Sequence, residues 1–205
     1  MIVIVDYGMG NLGSIVNMLS KIGTQAQVSS DARDIERAEK LILPGVGAFD
    51  TGMARLQELR WLEILNHKAF DDKTPILGVC LGMQLLTKRS EEGHLPGLGW
   101  IDGETIRFRL DPRHTDLKIP HMGWNSVTIH REGSPFKGMD QDAQFYFVHS
   151  YHVVCNDWRD VLTTTDYGCC FVSAVQQGNI MGAQFHPEKS HKYGMKLLRN
   201  FAELA

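Results

Sequence analysis

Pro75-Ile76-Leu77-Gly78-Val79-Cys80-Leu81-Gly82-Met83-Gln84-Leu85-Leu86-Thr87 runs from a proline through an aliphatic stretch into a run of helix formers. Residues 75–79 predict a buried strand, and residues 81–87 predict the helix that it feeds. A strand that is apolar throughout needs cover on both faces, the condition of a parallel sheet. Upstream, the same alternation recurs. Residues 2–5 predict another buried strand, after which Leu12, Ile15, Val16, Leu19 and Ile22 fall at helical spacing. Residues 25–28 predict a second strand and residues 31–38 a short helix with Asp31 as its N-cap; Leu41-Ile42-Leu43 predicts a third strand closed by Pro44-Gly45. Met53, Leu56, Leu59, Leu62 and Leu65 predict one longer helix before the strand at residues 75–79.

Downstream of Gly97 the texture changes to short strands broken by Gly, Asp and Pro, expected at 104–110, 126–130, 145–148, 151–155, 171–175 and 180–185. This half reads as antiparallel. A closing helix carries Tyr193, Leu197, Leu198, Phe201 and Leu204 on one face. With no internal repeat, low-complexity tract or linker, residues 1–205 read as one α/β domain with a mixed sheet.

Composition narrows the function classes. The chain has 205 residues, 43% hydrophobic and 22% charged, with formal net charge -3 and no basic run. That balance lacks the electrostatic footprint of a nucleic-acid binder, so no nucleic-acid partner is expected. No apolar stretch approaches the roughly 18 to 20 residues of a bilayer span, and Met1-Ile2-Val3-Ile4-Val5-Asp6 has neither a basic flank nor a cleavage site, so the expectation is a cytoplasmic protein without membrane contact. Cys80, Cys155, Cys169 and Cys170 are too few and too unevenly spaced for a disulfide framework or paired zinc knuckles, and read as reduced thiols.

Chemistry concentrates at Gly78-Val79-Cys80-Leu81-Gly82, a glycine-flanked cysteine where a strand becomes a helix. Such an elbow lifts a nucleophile out of the backbone and sets it beside the helix N-terminal N–H groups, which favour a thiolate and a developing oxyanion. The plainer reading is a buried cysteine packing as a small hydrophobe. A base is available in Gln184-Phe185-His186-Pro187-Glu188-Lys189, where the proline keeps His186 out of helical geometry and lets Glu188 reach its ring. Cys80, His186 and Glu188 then compose a nucleophile, a base and an orienting acid. Pro44-Gly45-Val46-Gly47 ends the third strand on the same sheet edge, where a rotated peptide could offer an N–H to an oxyanion, or simply turn.

Two competing motifs need weighing. Gly8-Met9-Gly10-Asn11-Leu12-Gly13, followed by Asp31, is a literal dinucleotide fingerprint, but the chain has little room for a substrate domain and Asp6 sets a carboxylate beside the would-be pyrophosphate. His149 and His152 suggest a metal pair, yet strand positions three apart face opposite sides unless Ser150 bends the chain, and no third ligand stands at a recognisable spacing.

Gly78-Val79-Cys80-Leu81-Gly82-Met83-Gln84, Pro44-Gly45-Val46-Gly47 and Phe185-His186-Pro187-Glu188 together resemble the class I (triad) glutamine amidotransferases. Asp6-Tyr7-Gly8-Met9-Gly10-Asn11, Pro120-His121-Met122-Gly123-Trp124-Asn125 and Tyr146-Phe147-Val148-His149-Ser150-Tyr151 narrow the resemblance to the glutaminase subunits of imidazole glycerol phosphate synthases, and it covers almost the whole chain. It implies a three-layer, flavodoxin-like α/β fold with a mixed, largely parallel central sheet, and it implies no metal or cofactor. On this resemblance Cys80 attacks the side-chain amide of L-glutamine, His186 shuttles protons and Glu188 orients it, giving ammonia and a glutamyl thioester that water cleaves. Gly45, Gly47, Gln84, Glu92, His149, Ser150 and Tyr151 match positions that hold glutamine. Asn11, Met122, Trp124, Asn125, Tyr146 and Lys189 match positions that face a cyclase subunit built as a (β/α)8 barrel, in a heterodimer. There ammonia would join N'-[(5'-phosphoribulosyl)formimino]-AICAR ribonucleotide to give imidazole glycerol phosphate and AICAR ribonucleotide, in histidine biosynthesis. The strand at Gly45 to Gly47 is expected to reach its oxyanion-binding form only when the partner is loaded, so activity in isolation should be low.

Ser190-His191-Lys192-Tyr193-Gly194-Met195 and Cys155-Asn156-Asp157-Trp158 look more like an alternative branch, paralogues that supply ammonia to an ATP-dependent enzyme aminating sugars for surface polysaccharide. A third alternative is a silent binding module that keeps the fold, against which the intact triad argues.

Overall fold

The computed structural model describes residues 1–111, 117–131 and 134–204. Its strands are β1 (Ile2–Val5), β2 (Ala26–Ser29), β3 (Lys40–Gly45), β4 (Ile76–Cys80), β5 (Gly103–Arg107), β6 (His121–Ser126), β7 (Thr128–Ile129), β8 (Gln144–His149), β9 (Tyr151–Cys155), β10 (Val161–Asp166), β11 (Cys170–Gln177) and β12 (Ile180–Ala183). The α-helices are α1 (Leu12–Lys21), α2 (Ala32–Arg37), α3 (Phe49–Glu58), α4 (Leu62–Asn66), α5 (Leu81–Leu85) and α6 (His191–Ala202).

The order β2-β1-β3-β4-β12-β11-β10-β7 forms the spine of a ten-stranded sheet, to which β9 and then β5 attach through β11. Neighbours from β2 to β12 run parallel, and from β12 onward the pairs are antiparallel. Strand periodicity explains the three layers. Val3, Val5, Leu41 and Leu43 join one core with Ile35, Met53, Leu56 and Leu65 of α2, α3 and α4. Ile2, Ile4, Ile42, Leu77 and Val79 point the other way, onto Ile15 and Leu19 of α1 and Leu197, Leu198 and Phe201 of α6. The expected mixed, largely parallel α/β architecture is therefore what the chain adopts. Beside it stands a two-stranded antiparallel sheet of β6 and β8, in which His121 faces His149 and Trp124 faces Tyr146.

Several local expectations need correction. The apolar pattern from Met53 to Leu65 is two helices, because Arg60 takes φ 58 and breaks the backbone between α3 and α4. The strand beginning at Ile180 ends at Ala183 and, despite its place in the antiparallel half, runs parallel to β4 with Gly182 opposite Gly78. The strand expected at 126–130 shortens to β7, and β6 and β10 appear where none was expected. Asp31 does cap α2, its side chain accepting from the Arg33 N–H at 2.9 Å.

Candidate active site

Close backbone approaches, which only glycine allows, build the nucleophile's position. Cys80 ends β4 at φ 55, ψ −110, a left-handed conformation rare for a residue with a Cβ. A Cβ on Gly82 would lie 1.8 Å from the Leu43 carbonyl oxygen, and one on Gly78 would lie 2.7 Å from the Gly82 oxygen. The two glycines thus let the chain fold back on itself and press the start of α5 against β3. The Cys80 thiol is buried, donates to the Val148 carbonyl at 3.9 Å and accepts from Gln184 Nε2 at 3.9 Å. Below it Tyr7 donates to the Pro44 carbonyl at 2.6 Å, and burial, helped by the Cys80 sulfur, pushes this phenol up.

Side-chain hydrogen bonds hold the base. His186 follows β12 in extended geometry and N-caps a 3-10 turn, Pro187–Lys189. Its N–H donates to the Tyr146 carbonyl at 2.9 Å. Ser190 Oγ accepts from the Tyr146 N–H at 3.0 Å and donates to the His186 carbonyl at 2.6 Å, riveting this turn to β8. His186 Nδ1 and Glu188 Oε1 lie 2.7 Å apart, both side chains buried, and among the described residues none hydrogen-bonds His186 Nε2. Burial disfavours the imidazolium, but the Cys80 sulfur and the Glu188 carboxylate outweigh it and raise His186 to about 10.

A cavity of about 310 Å³ gathers most of the predicted residues: Cys80, His186, Gly47, Gln84, Glu92, His149, Ser150 and Tyr151 line it, with Val46, Leu81, Pro120 and Val148. Glu188 sits behind His186. Gly45 is buried beside the elbow, where an added Cβ would meet the Gly82 nitrogen and Leu81 Cβ at 2.8 Å and Tyr7 Oη at 2.9 Å. Gly47 takes φ +113, a conformation that favours glycine, and lines the cavity beside Cys80. Gln84 Nε2 donates to the Tyr151 carbonyl at 3.1 Å and to Gln184 Oε1 at 3.0 Å. Glu92 Oε2 accepts from the Phe49 N–H at 2.8 Å, and Asp50 in return accepts from the His94 and Leu95 N–H groups.

The dinucleotide-like loop serves packing instead. Gly8 and Gly10 take φ +83 and +106, and a Cβ on Gly10 would meet Pro44 Cβ at 3.0 Å, so this loop seats on the strand end that carries Gly45. The bend at Ser150 brings His149 and His152 onto the same ring, Phe108, at centroid distances of 5.1 and 4.7 Å. Among the described residues no group of His, Cys, Asp and Glu is placed to hold a metal ion. Nor is any helix there long and apolar enough to cross a membrane.

Of the residues expected at a partner face, Met122 and Trp124 share one side of β6, whereas Asn125 lies on the other side with His121, to which it bonds; Tyr146 is on β8 and Asn11 caps α1. Met122 and Trp124 are 61% and 46% exposed, large apolar groups left open to solvent. The Trp124 indole stacks on His191 at 5.2 Å and 3° between planes, and Lys189 Nζ lies 5.5 Å from the Tyr146 ring centroid. Asn125 is half-buried, and Asn11 caps α1 by accepting from the Ser14 N–H. Sequence reading gave no role to Tyr7 or Gln184. Both stood within quoted motifs, and the available signal was a polar group inside an otherwise apolar strand end.

The family described as "Glutamine amidotransferase class-I" matches residues 3–204. Over its full length the chain is 54% identical to the whole of "Imidazole glycerol phosphate synthase subunit HisH 2" of Methanococcus maripaludis. It is 50% identical to the whole of the protein of the same description from Pseudomonas aeruginosa, with 100% of both chains covered. Among solved structures, a glutamine amidotransferase superposes with TM-score 0.71 at 20% identity, covering 98% of this chain and 97% of that one, a likeness of fold alone.

Proposed function

The chain belongs to the class I glutamine amidotransferase family, and on that premise we propose that it is the glutaminase subunit of an imidazole glycerol phosphate synthase, serving histidine biosynthesis. The observation that carries the reading is the convergence of a strained cysteine elbow and a carboxylate-bound histidine on one cavity, in a chain matching such subunits end to end. The substrate is L-glutamine and the partner is a cyclase subunit. Residues 1–205 act as one glutaminase domain in the cytoplasm.

The mechanism follows from the geometry. Cys80 sulfur attacks the side-chain carbonyl carbon of glutamine as a thiolate, its proton having passed to His186. The tetrahedral oxyanion lies between the first N–H groups of α5, whose partial positive charge favours it, and the peptide at Val46-Gly47, which turns at φ +113. His186 gives its proton to the departing nitrogen, the C–N bond breaks, and ammonia leaves a glutamyl thioester on Cys80. Water, deprotonated by His186, then attacks the thioester, returning the thiol and releasing glutamate. Glu188 takes no proton in this scheme; it fixes the His186 ring through Nδ1 and favours the imidazolium. Gln84, Glu92, Ser150 and Tyr151, with Gly45 at the end of β3 and Gly47 in the loop after it, hold the substrate.

Ammonia escaping to bulk water is protonated and lost as a nucleophile, so it must pass directly to the acceptor. The exposed face of Met122 and Trp124, with Asn11, Tyr146 and Lys189 and with Asn125 from the other side of β6, receives the cyclase, a (β/α)8 barrel, to form a heterodimer. Ammonia release from glutamine, measured for the chain alone and with a cyclase subunit carrying its nucleotide substrate, tests this. Cys80→Ala serves as blank. Strong stimulation that vanishes in the blank is expected. No stimulation, with a glutamine-analogue electrophile still labelling Cys80, would overturn the histidine assignment and favour ammonia supply to sugar amination.

A further inference from the structure

Between the cavity and β6 lies a set of buried rings that the chemistry above does not use. His121 and His149 are 2% and 6% exposed. His121 is sandwiched between Tyr167, 3.9 Å away, and Phe147, 4.8 Å away, and both histidines pack on Phe108. Burial holds His121 down to about 4 and His149 down to about 3, so both are neutral at pH 7 and each carries one ring hydrogen.

Their partners fix where those hydrogens are. His149 Nδ1 lies 2.7 Å from the Tyr151 carbonyl oxygen, which can only accept, so Nδ1 carries the hydrogen. His149 Nε2 must then accept. The atom facing it at 3.1 Å is His121 Nδ1, which must therefore donate. His121 Nε2 is left as an acceptor for Asn125 Nδ2 at 3.4 Å, an amide that also donates to the Asp166 carbonyl at 2.8 Å. The series runs one way only, from an amide that gives to a carbonyl that receives. It ends on the same Tyr151 oxygen that accepts from Gln84 Nε2 at 3.1 Å, and Gln84, Ser150 and Tyr151 all line the cavity. Both ring nitrogens of His149 are thus engaged within the chain, which leaves its ring no free nitrogen to offer glutamine.

We propose that His121 is a positioning residue for glutamine: acting through His149, it fixes the turn from His149 to Tyr151 and with it the Gln84 amide, so the substrate-receiving wall is set by a directional relay from Asn125. The inference rests on the glutaminase reading for its substrate, while the relay itself rests on the tautomers. Two measurements test it. In the 15N-histidine-labelled full chain at pH 7, imidazole 15N–1H correlation is expected to show His121 and His149 neutral with hydrogen on Nδ1, the less common tautomer. Nε2–H or imidazolium on either ring overturns the relay.

The second is kinetic, with the chain bound to its partner. His121→Phe keeps a ring between Tyr167 and Phe147 but has no donor, and is expected to raise KM for glutamine about 3- to 10-fold, the effect of a lost hydrogen bond, while kcat changes less. His121→Asn sets its amide nitrogen where Nδ1 stood and is expected to recover most of that loss. Equal KM values for the two variants, or a KM for His121→Phe equal to that of the unaltered chain, overturn the positioning role. An unaltered chain that hydrolyses no glutamine with partner present would instead sink the glutaminase reading, a result separable from the tautomers.

Discussion

The two halves of the active site share one means of construction and differ in a second. On the parallel side, Cys80 is placed by what is missing: Gly78 and Gly82 lack side chains, and β3, β4 and the start of α5 close to distances that any Cβ would prevent. Around His186, after β12, the Ser190 hydroxyl, the Tyr146 backbone and the Glu188 carboxylate add hydrogen bonds to one such close approach, a Cβ on Gly194 falling 1.8 Å from the Pro187 oxygen. Main-chain packing tolerates no added atom, and a hydrogen-bonded turn tolerates no removed one. The nucleophile's position is therefore fragile to volume, and the base's position is fragile both to volume, at Gly194, and to the loss of a hydrogen bond.

The sharpest attempt to break this contrast is Gly82→Ala. Its methyl would fall 1.8 Å from the Leu43 oxygen, a backbone atom that cannot swing aside. Overpacking of this kind costs about 1–3 kcal/mol or more, and thermal unfolding should show a drop at or beyond the upper end of that range. Next comes Glu188→Gln, which adds no volume and removes a charge. Glutamine turnover in the stimulated complex should fall on the order of 100-fold, about 2.7 kcal/mol of barrier, with little change in thermal midpoint. His186 stands near 10 partly because of that carboxylate, so removing it lets the imidazolium lose its proton earlier. The alkaline limb of kcat/KM should move to lower pH, and an unmoved limb would show that Glu188 acts by geometry alone.

Ser190→Ala is a smaller change on the same side. It strips the half-buried Tyr146 N–H of its acceptor and should cost about 0.5–1.5 kcal/mol in urea unfolding, together with a loss of turnover as His186 drifts. The mildest is Gly13→Ala in α1, where an added Cβ meets nothing within 4 Å. A gain of about 0.5–1 kcal/mol is expected, and a loss would show that the fragility is not one of volume at close approaches.

The same division explains what the sequence made legible. Glycines at fixed offsets from Cys80, on a locally apolar strand, announce the elbow because its geometry is local. The pair His186 and Glu188 was legible for the same reason, since one proline sets their relation. Strand β10, reading Val-Leu-Thr-Thr-Thr-Asp, hid as a polar loop. Its threonines are buried, and two of the hydroxyls find partners outside the strand, Thr163 on Ser173 at 2.8 Å and Thr164 on His130 at 2.7 Å. Strand β6, with Gly123 at φ +135 and no β-branched residue, exists because β8 pairs with it. The helix break at Arg60 was invisible because the apolar spacing continues across it. Gln184 could not be assigned a task before its distance to Cys80 and Gln84 was known.

The stacking of Trp124 on His191 has a practical consequence. Trp61 and Trp100 are buried, and Trp158 is 61% exposed but meets His130 edge-on rather than lying on the β6 and β8 face. Trp124 is thus a native fluorophore on the surface proposed to receive the cyclase, its emission already conditioned by an imidazole held parallel to it. With Trp158→Phe to quiet the background, docking could be followed by light alone, in real time and without turnover, so complex formation and ammonia release could be timed as separate events.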